Sequence, residues 1–241
     1  MSWASSVKVA RLREGFSDCI ISLDELDVRQ KMKRLFAILL LFGLGSCKRA
    51  SVVTSSLAVS ESNELSANLK RIEVALGSSA PEYSKNLSAG ATLDELTGLR
   101  RELDGNQVEA LEVWFGWHNG ASGSGCTLIP LGSMTSLKDA LQERKEIRKI
   151  PFIGKERKSG IKILDDGCGD GYYLDVTSSS PRVFYHMIED GGQSYYGSLA
   201  QFSGFIASCW EAGLFVPNKK GYIDYDEAEY LRAEEEYLDG I

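Results

Sequence analysis

Histidine is scarce in this chain, since His118 and His186 are the only two among 241 residues. A histidine-rich metal site is therefore excluded, and a zinc site of two cysteines and two histidines lacks the required spacing. Cys168 and His186 could be imagined as a nucleophile and its base, but no third residue is evident to orient them. The sequence predicts no catalytic residue, no metal site and no cofactor. It leaves open whether Cys126 and Cys168 form a disulfide.

The chain also lacks an apolar run long enough to span a membrane, which takes about 20 residues. The run at residues 35–42 stops within about half of that length. It follows the basic residues 32–34 and precedes Leu-Gly-Ser-Cys at residues 44–47, which is the order of parts in a secretory signal. The last four residues resemble the bacterial lipoprotein lipobox. The resemblance implies that Cys47 is lipidated and becomes the mature N-terminus.

This signal predicts the organisation of the whole chain. Residues 1–31 are predicted to be an upstream extension from a misplaced start codon, and residues 32–46 a lipoprotein signal peptide. Residues 47–63 lack periodicity and predict a flexible tether, and residues 64–241 predict the folded domain. The expected location is the bacterial cell envelope, on the periplasmic side, or the cytoplasm if the segment is a buried amphipathic helix instead.

Excess positive charge is absent from the chain. The formal net charge is −7, and the stretch from residue 224 to the C-terminus, with eight acids and a single base, accounts for all of it. The remainder is balanced, so neither a nucleic-acid surface nor a broad basic membrane patch is indicated. The acidic segment from residue 222 interleaves tyrosines with acids, which suits steering and anchoring of a basic protein partner. A solvated amphipathic helix is the alternative.

The stretch at residues 161–187 admits two interpretations. Residues 163–171 resemble the first motif of S-adenosylmethionine-dependent methyltransferases, in which a strand runs into a glycine-rich turn that opens a helix. The residues that follow are strand-like instead, at 172–177 and 182–187. About 70 residues follow Gly171, too few for further βαβ units of about 30 residues each. We expect a hairpin here, and a methyltransferase remains the alternative function.

Periodicity along the chain predicts an α+β fold. Apolar residues at helical spacing predict helices over residues 64–76, 93–103, 106–118, 135–149 and 198–210. Strand-like runs occupy residues 126–131, 150–154, 161–164, 172–177 and 182–187. The predicted architecture is a mixed sheet of about five strands, packed against N-terminal and C-terminal helices.

The order of these elements carries a family resemblance. The matching pieces are Trp-His-Asn-Gly at residues 117–120, Ile-Pro-Leu at 129–131, Phe-Ile-Gly at 152–154, Gly-Asp-Gly-Tyr-Tyr-Leu-Asp at 169–175, Arg-Val-Phe at 182–184 and the helix from Ser198. Residues 93–210 thereby resemble the SUKH superfamily, which contains yeast cell-wall-synthesis regulators and bacterial proteins that confer immunity to toxins. The resemblance implies a noncatalytic module that masks the active site of one cognate toxin.

The resemblance and the acidic segment together predict a partner surface and no enzyme activity. Its candidate residues are Trp117, Asn119, Tyr222, Tyr225, Asp226 and Glu227. Trp117 lies beside the loop that follows Asn119, although core packing is the alternative role for this side chain. The expected function is a lipid-anchored immunity protein with a toxin partner. An envelope structural or regulatory module without a toxin partner is a further alternative.

Overall fold

A computed structural model describes residues 50–103, 107–122, 127–130, 132–178, 181–187, 195–220 and 222–240. The predicted upstream extension, the predicted signal peptide and Cys47 lie outside the described residues. Among the residues that are described, no helix combines the length and the apolar character that crossing a bilayer requires.

The described elements are short helices and strands around one long N-terminal helix. The helices are α1 (Ala50–Ser79), α2 (Pro81–Ser84), α3 (Leu93–Glu102), α4 (Gln107–Trp117), α5 (Leu137–Ile147), α6 (Lys155–Ser159), α7 (Leu199–Glu211) and α8 (Glu227–Asp239). The strands are β1 (Ser133–Met134), β2 (Gly160–Asp165), β3 (Gly171–Asp175), β4 (Val183–His186), β5 (Tyr195–Tyr196), β6 (Val216–Pro217) and β7 (Ile223–Asp224). The fold is α+β, as the sequence predicts.

The main sheet contains five strands in the order β1-β2-β3-β4-β5, of which the outer two are only two residues long. All pairs in it are antiparallel, and β6 and β7 form a separate antiparallel pair. The prediction of a mixed sheet is therefore wrong for the described strands. The connections from β2 to β3 and from β3 to β4 are too short for the crossover that parallel neighbours need.

The segment with two interpretations forms a hairpin. β2 and β3 pair from Gly160 opposite Asp175 to Asp165 opposite Gly171. A Cβ atom on Gly171 would lie 2.3 Å from the carbonyl oxygen of Leu164, so glycine permits the close approach of the two strands. Residues 163–171 thus form strand, turn and strand, and not the strand, loop and helix of a methyltransferase motif.

Two of the predicted strands are wrong. At residues 150–154 the chain forms a turn, because the amide of Ile150 donates to the carbonyl of Ile147 and prolongs the last turn of α5. At residues 127–130 the amides of Leu128 and Ile129 both donate to the carbonyl of Gly132, which closes a tight turn just before β1. Local hydrogen bonds thus replace the sheet ladder in both places. Strand β5, by contrast, has no counterpart among the predicted strands.

Helix α1 covers most of the segment predicted to be a flexible tether, because it begins at Ala50, and it also continues past Gly77 to Ser79. Its C-terminal half buries an apolar stripe in the core, formed by Leu65, Leu69, Ile72 and Leu76. Once this burial has stabilised part of the helix, extending it through serine and alanine costs little free energy. A glycine near its end costs only about 1 kcal/mol relative to alanine.

Helix α7 lies at the centre of the core, and most of its residues are buried. The ring of Phe202 packs against those of Tyr172 and Tyr196, with 4.9 Å between centroids in both pairs. The indole nitrogen of Trp210 donates to the carbonyl of Leu128 at 3.0 Å, which fastens the turn before β1 to this helix. The helix therefore joins the sheet to the turns that precede it.

The acidic C-terminal segment forms the amphipathic helix α8. The rings of Tyr230 and Tyr237 pack against Phe205 of α7, with centroid distances of 5.4 and 5.5 Å. Most acids of α8 occupy its other faces, and Glu227, Glu235 and Glu236 are among those that are exposed. Glu234 is half-buried instead and accepts a hydrogen bond from the hydroxyl of Tyr196. Two of the four interleaved tyrosines therefore belong to the core, which leaves Tyr222 and Tyr225 as the exposed ones.

Candidate protein-binding groove

Three turns converge to form a groove of about 570 Å³. They are the turn at residues 119–121 after α4, residues 133–136 from β1 to the start of α5, and residues 165–167 after β2. Tyr222 and Asp139 complete the walls. The volume falls within the usual range of binding clefts, about 300–1,000 Å³. We call this cleft the acidic groove, for the charge of its side chains.

The first wall is held in place by Asn119. Its Oδ1 accepts a hydrogen bond from the amide of Leu137 at 2.7 Å, and its Nδ2 donates to Glu95 at 3.2 Å. Glu95 also closes the capping box of α3, where hydrogen bonds from Thr92 hold the pKa of this carboxyl below its ordinary value. Gly120 follows with a φ of 93°, which only glycine adopts easily. Asn119 therefore couples the starts of α3 and α5.

The opposite wall is the turn after β2. Oδ1 of Asp165 accepts from the amide of Gly167 at 3.3 Å, and Oδ1 of Asp166 accepts from the amide of Cys168 at 2.7 Å. The amide of Asp166 donates to the carbonyl of Asp170 at 3.4 Å. These bonds tie the carboxylates to their own turn, as aspartate commonly does. The wall is therefore acidic, and hydrogen bonds within the turn hold its carboxylates in place.

The groove carries negative charge that is only partly compensated. Asp139, Asp165 and Asp166 line it, and no described lining residue is basic. Asp165 pairs with the buried Lys162 at 3.1 Å. Asp139 and Asp166 form no ion pair with any described residue. Within the described part of the chain, these two carboxylates thus remain without a counter-ion.

Burial and the negative charges of the acidic turn raise the pKa of a tyrosine on β4. Burial, and after it the negative charges of Asp166 and Asp170, raises the pKa of Tyr185 to about 12. Cys168 and Tyr225, the second of which is a predicted partner-binding residue, also contribute to that rise.

Two buried hydroxyl groups on the lining residues have no hydrogen-bond partner in the described part of the chain. Thr127 and Thr135 are 7% and 8% exposed, both line the groove, and their Oγ1 atoms bond to no described group. A buried polar group left unsatisfied costs about 1–3 kcal/mol. These two oxygens are themselves almost inaccessible from outside, so the lining attracts a positively charged ligand through its carboxylates.

The predicted partner-binding residues fall in two places. Tyr222 is 50% exposed and shares the groove with Asn119, although both polar ends of Asn119 are engaged within the protein. Tyr225 is 37% exposed and packs edge-on against Tyr230. Asp226 caps α8 by accepting from the amide of Glu229 at 3.0 Å, and Glu227 is exposed in the first turn of that helix.

Trp117 lies apart from this set. Together with residues of α1 it lines a second groove, of about 440 Å³, and no residue lines both grooves. Its indole nitrogen donates to Glu73 at 2.7 Å, and its ring lies 4.5 Å from that of His118. Nε2 of His118 lies 3.0 Å from the same carboxylate oxygen, and its Nδ1 lies 2.7 Å from the carbonyl of Ser88. Trp117 thus fastens α4 to α1.

Sequence reasoning missed the threonines and aspartates of the groove. Thr127, Thr135, Asp139 and Asp166 come from separate turns, and no local pattern relates them. One usable signal was the Ser136–Asp139 pair, in which the amide of Asp139 donates to the serine hydroxyl, because such a pair marks the start of a helix. It identifies the position of Asp139 but not its neighbours.

Other reactive groups of the described chain are dispersed. No three histidine, cysteine or acidic side chains among the described residues are placed to hold a metal ion. Cys168 is exposed and Cys209 is buried, and neither is in a disulfide, while Cys126 lies outside the described residues. Burial raises the pKa of the Cys209 thiol to about 12 and lowers that of His186, which packs edge-on against Tyr173.

Comparison with known proteins adds no identification. No protein-family model matches the chain, and no curated protein matches it significantly. The acidic groove, with its carboxylates and the exposed Tyr222, is therefore the feature on which a function has to be argued.

Proposed function

We propose that this chain is a noncatalytic protein-binding domain of SUKH type, an immunity protein that neutralises a cognate toxin from the cell envelope. The acidic groove is the observation that carries the proposal. It presents the carboxylates of Asp139 and Asp166, which have no counter-ion among the described residues. Lysine and arginine side chains of a protein partner supply the donors that these groups lack.

The surroundings of the groove suit a protein partner better than a small cation. Tyr222 on its wall and Tyr225, three residues further along the chain, are exposed, and such side chains add contact area at low entropic cost. The acids of α8 extend the negative charge beyond the groove. Charge of one sign over such an area accelerates the encounter with a basic partner, while the tyrosines retain it.

The lipid anchor is the second part of the proposal, and it rests on the lipobox resemblance at Cys47. A lipidated domain lies outside the inner membrane, so this part requires a toxin that acts on the envelope. Mass spectrometry of the mature N-terminus from native membranes tests it. A diacylated or triacylated Cys47 supports the anchor, and an intact Met1 in the cytosol contradicts it without affecting the groove.

Capture followed by co-expression tests the toxin partner. The tagged protein is purified from native membranes, and each protein that co-purifies is expressed alone in a bacterial host. We expect a basic protein that arrests growth, and growth that resumes when the wild-type chain is co-expressed. Asp139→Asn combined with Asp166→Asn is expected to weaken its binding at least tenfold, because each removes a charge-assisted hydrogen bond of about 1.5–3 kcal/mol.

The matched control is Asp94→Asn combined with Glu109→Gln. Both residues are exposed acids in the first turns of helices outside the groove, so the pair removes the same charge without touching the lining. Rescue by the control and failure by the groove variant support the proposal. A captured partner without toxicity contradicts the immunity role, and equal binding by both variants contradicts the groove as its site.

A further inference from the structure

The turn between α5 and α6 exposes an apolar tip. Phe152 is 89% exposed, the highest value among the large hydrophobic side chains described. Pro151 and Gly154 beside it are exposed as well, and Ile150 and Ile153 are half-buried. Residues 150–154 carry no polar side chain. An aromatic ring held in water by a turn of this composition gains free energy from any apolar phase that covers it.

Basic residues flank this tip on both sides. Arg148 and Lys149 precede it and Lys155 follows it, and all three are exposed. Lys149 and Lys155 form no ion pair with any described residue. The acids nearest in sequence are Glu146 and Glu156, so the cations still outnumber the acids. The flanks therefore favour a negatively charged partner.

The turn is braced rather than loose. Nζ of Lys158 donates to the carbonyl of Pro151, and Nε of Arg148 donates to the carbonyl of Lys158, both at 3.3 Å. These bonds fasten the turn to α6, directly before β2. Phe152 is thus presented by a fixed support, and inserting it into a partner requires little further ordering.

We propose that residues 148–155 contact an anionic lipid leaflet, with Phe152 inserted at the acyl boundary and Arg148, Lys149 and Lys155 among the headgroups. An apolar tip with cationic flanks matches the two layers of a membrane interface, where aromatic side chains enter and basic ones stay at the surface. A nucleic acid or an acidic protein would use the charges but would leave the tip without apolar contacts. Lipid is therefore the favoured partner.

This contact goes beyond the proposed immunity function and depends on neither the toxin nor Cys47. Strand β2 begins directly after α6 and ends at the acidic turn. Its six residues, which rise about 3.3 Å each, lie along the chain between the basic turn and the acidic turn. Contact at the basic turn would leave the acidic groove available to a partner.

Fluorescence of the full-length variant Phe152→Trp tests the contact. The wild-type chain, measured in parallel, supplies the background of its four tryptophans. With phosphatidylglycerol vesicles we expect the added emission to shift to shorter wavelength and to be quenched by bromine-labelled acyl chains. Zwitterionic phosphatidylcholine vesicles are expected to leave it unchanged. Lys149→Gln combined with Lys155→Gln should lower the partition coefficient about fivefold for each lysine.

The control for the lysines is Lys219→Gln combined with Lys220→Gln, two exposed residues outside this turn. It is expected to retain the partitioning of the parent variant. Emission that stays unshifted and unquenched on anionic vesicles would overturn the inference. So would an equal response on zwitterionic vesicles, an equal loss in the control, or a response to polyglutamate or an oligonucleotide without one to vesicles.

Discussion

The two turns that flank β2 differ in nearly every property. The turn before it, residues 148–155, is basic and holds Phe152 in water. The turn after it, residues 166–170, is acidic, and the carboxylates of Asp165 and Asp166 are bonded to backbone amides within it. One strand therefore separates a surface suited to anions from a groove suited to cations. A chain with balanced charge outside its C-terminus can thus carry two strongly charged surfaces.

A network of ion pairs joins α5, α6 and β2 to the acidic turn. Lys162 on β2 is 3% exposed and pairs with Glu143 at 3.0 Å and Asp165 at 3.1 Å. Arg157 of α6 reaches Glu143 at 3.2 Å and donates to the carbonyl of Gly169 in the acidic turn at 3.1 Å. Glu143 therefore compensates two cations at once, and its removal should loosen the support of the acidic turn.

The largest effect is expected from Glu143→Ala. It leaves Arg157 without a carboxylate and Lys162 with only one, and removing one partner from a buried ion pair costs about 3–5 kcal/mol. Urea unfolding measures the loss. Glu102→Ala is the control, because it breaks the exposed pair with Lys145 and should cost less than about 1 kcal/mol. Equal losses in the two variants would show that the network does not hold the acidic turn.

A smaller loss is expected from Gly171→Ala at the end of the acidic turn. The new Cβ atom would meet the carbonyl oxygen of Leu164 at 2.3 Å, and overpacking of this kind costs about 1–3 kcal/mol. Phe152→Ser in the basic turn should change the free energy of unfolding by less than about 0.5 kcal/mol, since the ring is exposed. A stability loss for Phe152→Ser as large as that for Gly171→Ala would contradict this contrast between a tight and an open turn.

Asn119→Ala separates the structural role of this residue from partner binding. The substitution leaves the amide of Leu137 without its acceptor and should lower the free energy of unfolding by about 1–2 kcal/mol. Asn86→Ala is a suitable control, because the hydrogen bonds described at that residue use its backbone. Calorimetric melting compares the two. Unchanged stability together with weakened partner binding would assign Asn119 to the interface instead.

The smallest expected effect is a change in the pKa of Tyr185, which responds to the negative charge of the acidic turn. The folded pKa of Tyr185 is about 12, above the ordinary value of about 10, so the folded state holds this proton more tightly. The resulting stability is fully present below pH 10 and is lost as the pH rises toward 12. Asp166→Asn should lower the pKa of Tyr185, as measured by tyrosinate absorbance against Tyr185→Phe. An unchanged titration would show that the charge of Asp166 does not reach β4.

Periodicity predicted the helices around the groove well, because their signals are local. Thr92 and Glu95 form a capping box at the start of α3, and Ser198 caps α7. The strand prediction at residues 150–154 is wrong because apolar composition does not reveal whether a partner strand is adjacent. At this position the structure instead places an exposed phenylalanine, which is the basis of the membrane inference.

The groove itself was only partly predictable. Tyr222 and Asn119 were both candidates, yet their neighbours Thr127 and Asp166 become lining residues only through the convergence of distant turns. Trp117 is directed to α1 by its hydrogen bond to Glu73, a contact between residues 44 positions apart. Such long-range contacts have no signature in a single sequence.

The central claim is that the acidic groove receives a basic protein partner and that the basic turn does not. The most direct measurement is the equilibrium affinity of the captured partner for the wild-type chain and for two double variants, Asp139→Asn with Asp166→Asn and Lys149→Gln with Lys155→Gln. The account predicts at least a tenfold loss of affinity for the first and none for the second. The reverse pattern, with binding lost only in the lysine variant, would contradict it.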